Sequence, residues 1–513
     1  MEEQAAKGGV RMNSVCIMGG GLSGLMTGAL LAKEGMRVTV LEKNAILGGG
    51  LQSFRRGDYH FDTGMHCFGG MGEDGQIRLI CRYLGIEDRV ETVPRCDTLM
   101  DTGSGLRLTL PFGPRAWVYR WSRAIGALLG KELEPGVRKQ LKHYLETMYN
   151  LTCQEPLYHL RPTDDNYRMP DLTLSAKELI DSSIELPLLR SIMPYLSLFY
   201  AGREDSPAML HSLISCSHIN GTYTFKHGSL SFANLLADVI RQAGGEVHTS
   251  EEVTAVDIDG RQVVCVRTAK DTYTADAYIS ALPVTRLLEL TPRSAFSPAF
   301  RNRISSAPLS YSAFSVFVGL QPRALCFNRE AYYCANLASD PWNAASVAAD
   351  KWPSLVFALP DEDLDNPGFA KTLTLICPME YSAVERWADS TTGHRPDDYY
   401  RWKEQMIEKA LKMIEPIGFE VPLQLAVAYA DAGSPLTIRD YYGNSRGAMY
   451  GLHPSTRNPL QAHLSPNTRV GNLFLTGQDV NFHGLVGTSL TSVLTAESLV
   501  GQNVIVNKIN ARK

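Results

Sequence analysis

The hydrophobic period of the chain changes twice within the first fifty residues. Val15, Ile17 and Met18 form a short apolar run. Leu22, Leu25, Met26, Ala29 and Leu30 then recur on one helical face, and after Gly35 the run at 38–41 returns to strand character. This order predicts a βαβ unit. Farther on, Ile77, Ile80, Cys81 and Leu84 predict an amphipathic helix. Phe232, Leu235, Leu236, Val239 and Ile240 predict another, stopped by Gly244 and Gly245. Glu246-Val247-His248 and residues 253–258 read as strands, Asp259-Gly260 as the hairpin turn into 263–266, and 277–281 as a further strand. Near the end of the sequence, Leu473-Phe474-Leu475 is a buried strand, and Gly484-Leu485-Val486-Gly487 opens a helix carrying Leu490, Val493 and Leu494. Residues 105–220 are largely helical, and 309–320 opens a second intervening stretch with strand-like alternation.

These blocks predict an α/β protein. A discontinuous Rossmann-like domain comprises residues 12–104, 221–294 and 431–513, and an α+β substrate domain, residues 105–220 and 295–430, is inserted into it. At 513 residues, 44% hydrophobic and 20% charged, the composition accommodates two or three domains with large cores. A formal charge of -4 gives no reason to expect nucleic acid. The ten cysteines are scattered without a CxxC pair or metal-ligand spacing, so neither disulfide nor metal is assigned. Residues 1–13 are polar and lack the apolar centre of a secretory signal, and no stretch approaches the ~20 apolar residues of a membrane span. The expectation is a cytoplasmic protein. Its one candidate for peripheral contact with the inner face of a membrane is 114–143, where Trp117, Tyr119 and Trp121 interleave with Arg115, Arg120 and Arg123. The competing reading turns those tryptophans into the core. Oligomeric state is not legible.

The chemistry begins at Met18-Gly19-Gly20-Gly21-Leu22-Ser23-Gly24, between the first strand and helix. Gly19 allows a tight turn, Gly21 lets backbone approach a pyrophosphate, and Gly24 lets helix and strand pack closely. The helix N-terminus, with Leu22 and Ser23 in its first turn, then faces the phosphates. Glu42, closing the second strand beside Lys43, is placed to accept hydrogen bonds from a ribose. This defines a dinucleotide site and redox chemistry, without separating FAD from NAD. FAD is favoured by a second glycine loop, Gly48-Gly49-Gly50-Leu51-Gln52-Ser53, and by Phe61-Asp62-Thr63-Gly64-Met65-His66 after it. Leu475-Thr476-Gly477-Gln478-Asp479 delivers an acid toward a ribityl hydroxyl, and the helix opened by Gly484, Leu485 and Val486 places a positive dipole end near the flavin C2 carbonyl. Val253 is assigned to the same cofactor. Gly70-Met71-Gly72-Glu73-Asp74-Gly75 also fits the glycine spacing, but no strand precedes it and two acids would face the phosphates, so it reads as a loop and helix start.

With these residues placed, the chain resembles the phytoene desaturase, carotenoid isomerase and retinol saturase group of FAD oxidoreductases, the retinol saturase branch most of all. The likeness is carried by the glycine unit ending at Glu42, by the segment Phe61-Asp62-Thr63-Gly64-Met65-His66, by Ser434-Pro435-Leu436-Thr437 with Gly447-Ala448-Met449-Tyr450-Gly451-Leu452, and by Leu475-Thr476-Gly477-Gln478-Asp479 with Gly484-Leu485-Val486-Gly487. Gly50 stands where many relatives carry arginine, and Asn481-Phe482-His483 departs from the saturase pattern, so substrate identity is not carried over. The resemblance implies the two-domain amine-oxidase fold and hydride transfer between flavin and an extended polyene or isoprenoid chain held in an apolar tunnel. NAD(P)H enters only as a transient electron donor or acceptor. His66, His483 and Tyr450 are the catalytic candidates, since each belongs to or adjoins a cofactor-facing motif and can exchange or relay protons. Three alternatives stay open: a redox-neutral isomerase, an amine oxidase, and a non-enzymatic prenyl-lipid escort protein.

Overall fold

The computed structural model describes residues 12–164, 167, 169–346 and 352–512. The polar start expected to lack a signal thus lies, for residues 1–11, outside the described residues. A five-stranded parallel sheet has the order Leu473–Leu475, Ala277–Ser280, Ser14–Met18, Arg37–Leu41, Glu246–His248. Its central strands are buried on both faces, which is why they read as continuous apolar runs. The helix Leu22–Lys33 packs between Ser229–Gln242 and Gly484–Val500. Thr27 and Thr476 join helix to strand end through their hydroxyls, 3.1 Å apart.

The second sheet has eight strands. Seven run in the order Val427–Gly433, Ser312–Leu320, Ala370–Met379, Leu355–Glu362, Glu330–Ala335, Thr92–Asp101, Arg107–Leu110, and Thr222–Phe225 pairs with the first half of Thr92–Asp101. By this pairing Thr92–Asp101 and Thr222–Phe225, read from the sequence as part of the dinucleotide domain, join the larger sheet. Thr92–Asp101 lies between a neighbour close in sequence, Arg107–Leu110, and one more than two hundred residues away, Glu330–Ala335. All nine residues of Ser312–Leu320 are buried, in place of the expected in-and-out alternation. Ala313 faces a core shared with the helices of residues 114–220, and Phe314, Val316 and Val318 face one shared with the helix Asp397–Met413.

The tryptophans of the interleaved segment turn inward. Trp117 and Trp121 are each 1% exposed, their rings 4.9 Å apart, and with Ile125 they fill the helical core. Their i, i+4 spacing puts all three on one face of Pro114–Leu129 and leaves Arg115, Arg120 and Arg123 outside. What stays exposed is Tyr119 and, at the turn into the next helix, Leu128, Leu129 and Leu133. Among the described residues no helix is long and apolar enough to cross a membrane.

Candidate functional site

The glycine turn sits at the carboxyl end of the central strand Ser14–Met18. Gly19 takes φ +107°, a conformation closed to most side chains, and its N–H donates to the Leu41 carbonyl at 2.8 Å. A Cβ on Gly24 would fall 1.9 Å from the Gly19 carbonyl oxygen, so helix and turn can meet only through a glycine. Gly24 is thereby a packing residue and does not itself line the cavity. The second glycine loop is zipped to the first, with Gly48 N–H donating to the Gly20 carbonyl at 2.8 Å. Glu42 holds the turn from behind. One carboxylate oxygen accepts the Gly20 N–H and the other the Asn44 N–H, both at 2.8 Å.

One cavity of about 500 Å³ runs past these elements. Glu42, Lys43 and Val253 line one end, and Gly19, Gly21, Leu22 and Ser23 form the floor opposite Gly49, Gly50 and Leu51. Farther along come Gly64, Met65 and His66, then Gly477 and Asp479, and the helix start Gly484, Leu485 and Val486. Asp479 is 8% exposed, and its two oxygens accept the backbone N–H groups of Val284 and Leu452, each at 3.0 Å. It therefore clamps three segments together as well as lining the cavity. Burial pushes its carboxyl above the usual range, against the pull of those two amides.

His66, His483 and Tyr450 are brought to the same cavity, with the Tyr450 and His483 rings 5.8 Å apart. Burial lowers both histidines to about 4, helped at His483 by the charge of His453. Both are consequently neutral at neutral pH and are not the imidazolium acids that the residue type alone suggests. Burial raises the Tyr450 phenol, which keeps its proton as a hydrogen-bond donor.

The sequence reading did not find the apolar end of the cavity. The strands of the second sheet supply Ala313, Ser315, Phe357 and Ile376, and the helix Ala208–Asn220 supplies Leu210, Leu213, Ile214 and His218. The spacing of that last group on one helical face was visible, but it is also the spacing of an ordinary core helix. Tyr442 was missed as well; its hydroxyl donates to Thr63 Oγ1 at 3.1 Å and packs against Gly64.

The wall fits a flavin. Gly50 opens on empty space, and two helix N-termini without side-chain caps present free first-turn N–H groups. Buried His66 Nε2 and His483 Nδ1 lack any partner within the protein. Fold and site together are those of a two-domain flavoprotein oxidoreductase. The chain belongs to the family of flavin-containing amine oxidoreductases, whose sequence model matches residues 22–324. It is 25% identical over 530 residues to the all-trans-retinol 13,14-reductase of Danio rerio, covering 94% of this chain and 85% of that protein. It is 21% identical over 520 residues to the chloroplastic prolycopene isomerase of Daucus carota, covering 96% and 81%. An oxidoreductase structure from Methanosarcina mazei superposes with a TM-score of 0.61 at 15% identity, covering 94% of this chain and 99% of that one, and so shares the fold.

Proposed function

We propose that the protein is an FAD-dependent oxidoreductase acting on a carbon–carbon double bond of a hydrophobic polyene or isoprenoid lipid. The observation that carries this reading is the continuity of the cavity, in which a glycine-lined groove opens directly into a chamber walled by Leu213, Ile214, Phe357 and Ile376. The activities named for the retinol reductase and prolycopene isomerase relatives support it.

In this reading Gly19, Gly21, Leu22 and Ser23 with Gly49 and Gly50 hold the diphosphate, Glu42 takes a ribose, and the segments at Asp479 and Gly484 hold the ribityl chain and ring. FAD, when bound, supplies hydride transfer. The chain's own part is to position and to exclude water. The apolar walls align a substrate with few polar handles, neutral His66 and His483 accept hydrogen bonds without adding charge, and Tyr450 offers a phenolic O–H. Apolar walls discriminate weakly between chain lengths, by ~1–3 kcal/mol per methylene. We also assign the exposed Leu128, Leu129 and Leu133, flanked by Arg123 and Lys131, to contact with an anionic lipid surface from which such a substrate is drawn.

The test is anaerobic incubation of FAD-loaded protein with dithionite and a total lipid extract of its host, read by mass spectrometry. A lipid gaining two hydrogens is the expected result. Unchanged masses with altered retention would instead make the reaction an isomerisation, and no change under reducing or oxidising conditions would defeat the reading.

A further inference from the structure

Behind the cavity wall at His483 lies an acid–imidazole pair that the cofactor groove does not account for. His453 is 4% exposed and hydrogen-bonds through Nε2 to Asp205 Oδ1 at 3.4 Å; Ser455 Oγ donates to Oδ2 at 2.7 Å, and Arg457 Nε stands 3.8 Å from that atom. The backbone fixes His453 in place. Met449 N–H donates to the Tyr311 carbonyl (3.1 Å), Ser310 N–H to Gly451 (2.9 Å) and His453 N–H to Pro308 (2.8 Å), so Tyr450 and His453 sit on one strip. Asp479 accepts the Leu452 N–H at 3.0 Å and ties that strip to the segment running on to His483. Nδ1 of His453 and Nδ1 of His483 are both buried without a partner in the protein. Two such nitrogens on neighbouring segments are costly to keep unless something completes their hydrogen bonding.

These contacts decide where the hydrogens lie. The bond from His453 holds the Asp205 carboxyl well below the usual range, so Asp205 is a carboxylate that only accepts, and Nε2 of His453 carries the hydrogen. A protonated His453 then has its charge balanced on one side and an Nδ1–H free to leave on the other. His483 has the complementary need. It lines the cavity, but burial and the charge of His453 lower it to about 4, so it holds no spare proton of its own near neutral pH.

We propose that His453, paired with Asp205, is the proton reserve of the cavity and passes its Nδ1 proton to His483 through a water shared by the two rings. The inference rests on the reading of the cavity given above and deepens it. Adding two hydrogens to a double bond takes a hydride to one carbon and a proton to its neighbour; bound FAD supplies the hydride, and the wall must supply the proton. His483 takes the incoming proton on Nδ1 as it yields the one on Nε2 to the carbon, so its ring stays neutral before and after. His453 is left neutral with its Nε2–H on Asp205, and water admitted as the product leaves returns one proton by the reverse path. The charged and titratable groups around the two rings are Asp205, Arg457, Tyr450 and Asp479. His453 and Asp205 touch no ligand and are positioning residues that act through His483.

The test uses FAD-loaded protein reduced with dithionite, a total lipid extract of its host, and mass spectrometry of the lipid that gains two hydrogens. His453→Ala should slow that gain about tenfold or more at unchanged flavin content, and added imidazole, which fits the space the deletion leaves, should restore much of it. His453→Gln keeps a hydrogen-bonding group but cannot pass a proton, and should stay slow. A fast His453→Gln protein overturns the proposal, as does a flavin-loaded His453→Ala protein that imidazole does not rescue; either marks a purely structural residue. A second readout needs no turnover: NMR of ring-labelled histidines across a pH titration. Asp205→Asn should move the two titrations in opposite directions, down for His453, which loses its counter-charge, and up for His483, which loses a charged neighbour. Unlinked titrations in an active wild type overturn the proposal alone. If the wild type saturates no lipid, the reading of the cavity falls, and the proposal with it.

Discussion

Gly451 and Asp479 are in such close contact that a Cβ on the glycine would fall 1.9 Å from the aspartate Oδ1. Gly451 also takes φ +69°, so the loop turns back on the carboxylate only because no side chain stands there. Gly451→Ala should push the loop off, release the Leu452 N–H from its buried acceptor and lower stability by about 1–3 kcal/mol. Because Asp479 also anchors Val284, flavin content should fall along with the melting temperature. The flavin-to-protein absorbance ratio and a thermal melt check this; a protein with native values for both would show that the clamp is dispensable.

Gly21 tests the opposite case. The nearest atoms to a Cβ there are Gly49 Cα at 3.8 Å and the Gly48 carbonyl at 3.9 Å, so a Cβ makes only ordinary van der Waals contact and a larger side chain occupies the groove that Gly21 lines. Gly21→Val should therefore fold normally and lose bound flavin. Retention of stoichiometric flavin would contradict the placement of the diphosphate over this turn.

Stability should fall on acidification below about pH 6. His66, His483 and His211, the last 0% exposed and hydrogen-bonded between Tyr144 and Tyr200, are all lowered to about 4 from a usual 6.5. A depressed histidine contributes stability that is present above pH 6.5 and lost as pH falls toward 4, because the unfolded chain takes up the proton first. Asp62, raised to about 6 by burial and by the nearby charge of Asp361, works the other way, and its contribution is lost as pH rises through 6. Three histidines against one carboxyl leave a net uptake of about two protons on unfolding between pH 4 and 6, a slope of about 2.7 kcal/mol per pH unit. Urea unfolding at pH 7.5 and pH 5 reads it directly, and a protein no less stable at pH 5 would refute the assignment.

Replacing Leu128, Leu129 and Leu133 together by glutamate should cut binding to phosphatidylserine vesicles at least several-fold in a sedimentation assay while leaving flavin content and folding unchanged, since all three side chains are exposed. Equal sedimentation of variant and wild type would remove the membrane assignment.

The cofactor end of the site was legible because its chemistry is local. The turn at Gly19, the acid at Glu42 and the helix start at Gly484 each announce themselves within a few residues, and the structure puts them around one groove. The substrate end was not, because it is made by pairing across distance. Ala313, Phe357 and Ile376 meet only when their strands align. Trp117 and Trp121 stood between two readings: their spacing puts them on one face with Ile125, as a core stripe requires, and their arginine neighbours suit a membrane surface; the structure turns the tryptophans into the core.

The order of strands in the five-stranded sheet also bears on how the protein is made. Ser14–Met18 emerges from the ribosome early, but its sheet receives Ala277–Ser280 much later and Leu473–Leu475 later still. Until residues 473–487 are synthesised there is no Asp479 to pin Val284 and Leu452 and no second helix start beside the groove. Flavin capture is thus a late event in biogenesis. The nascent chain must carry an open, apolar-rimmed half-site through most of its translation, exposed to chaperones and to misassembly, before a cofactor can seal it.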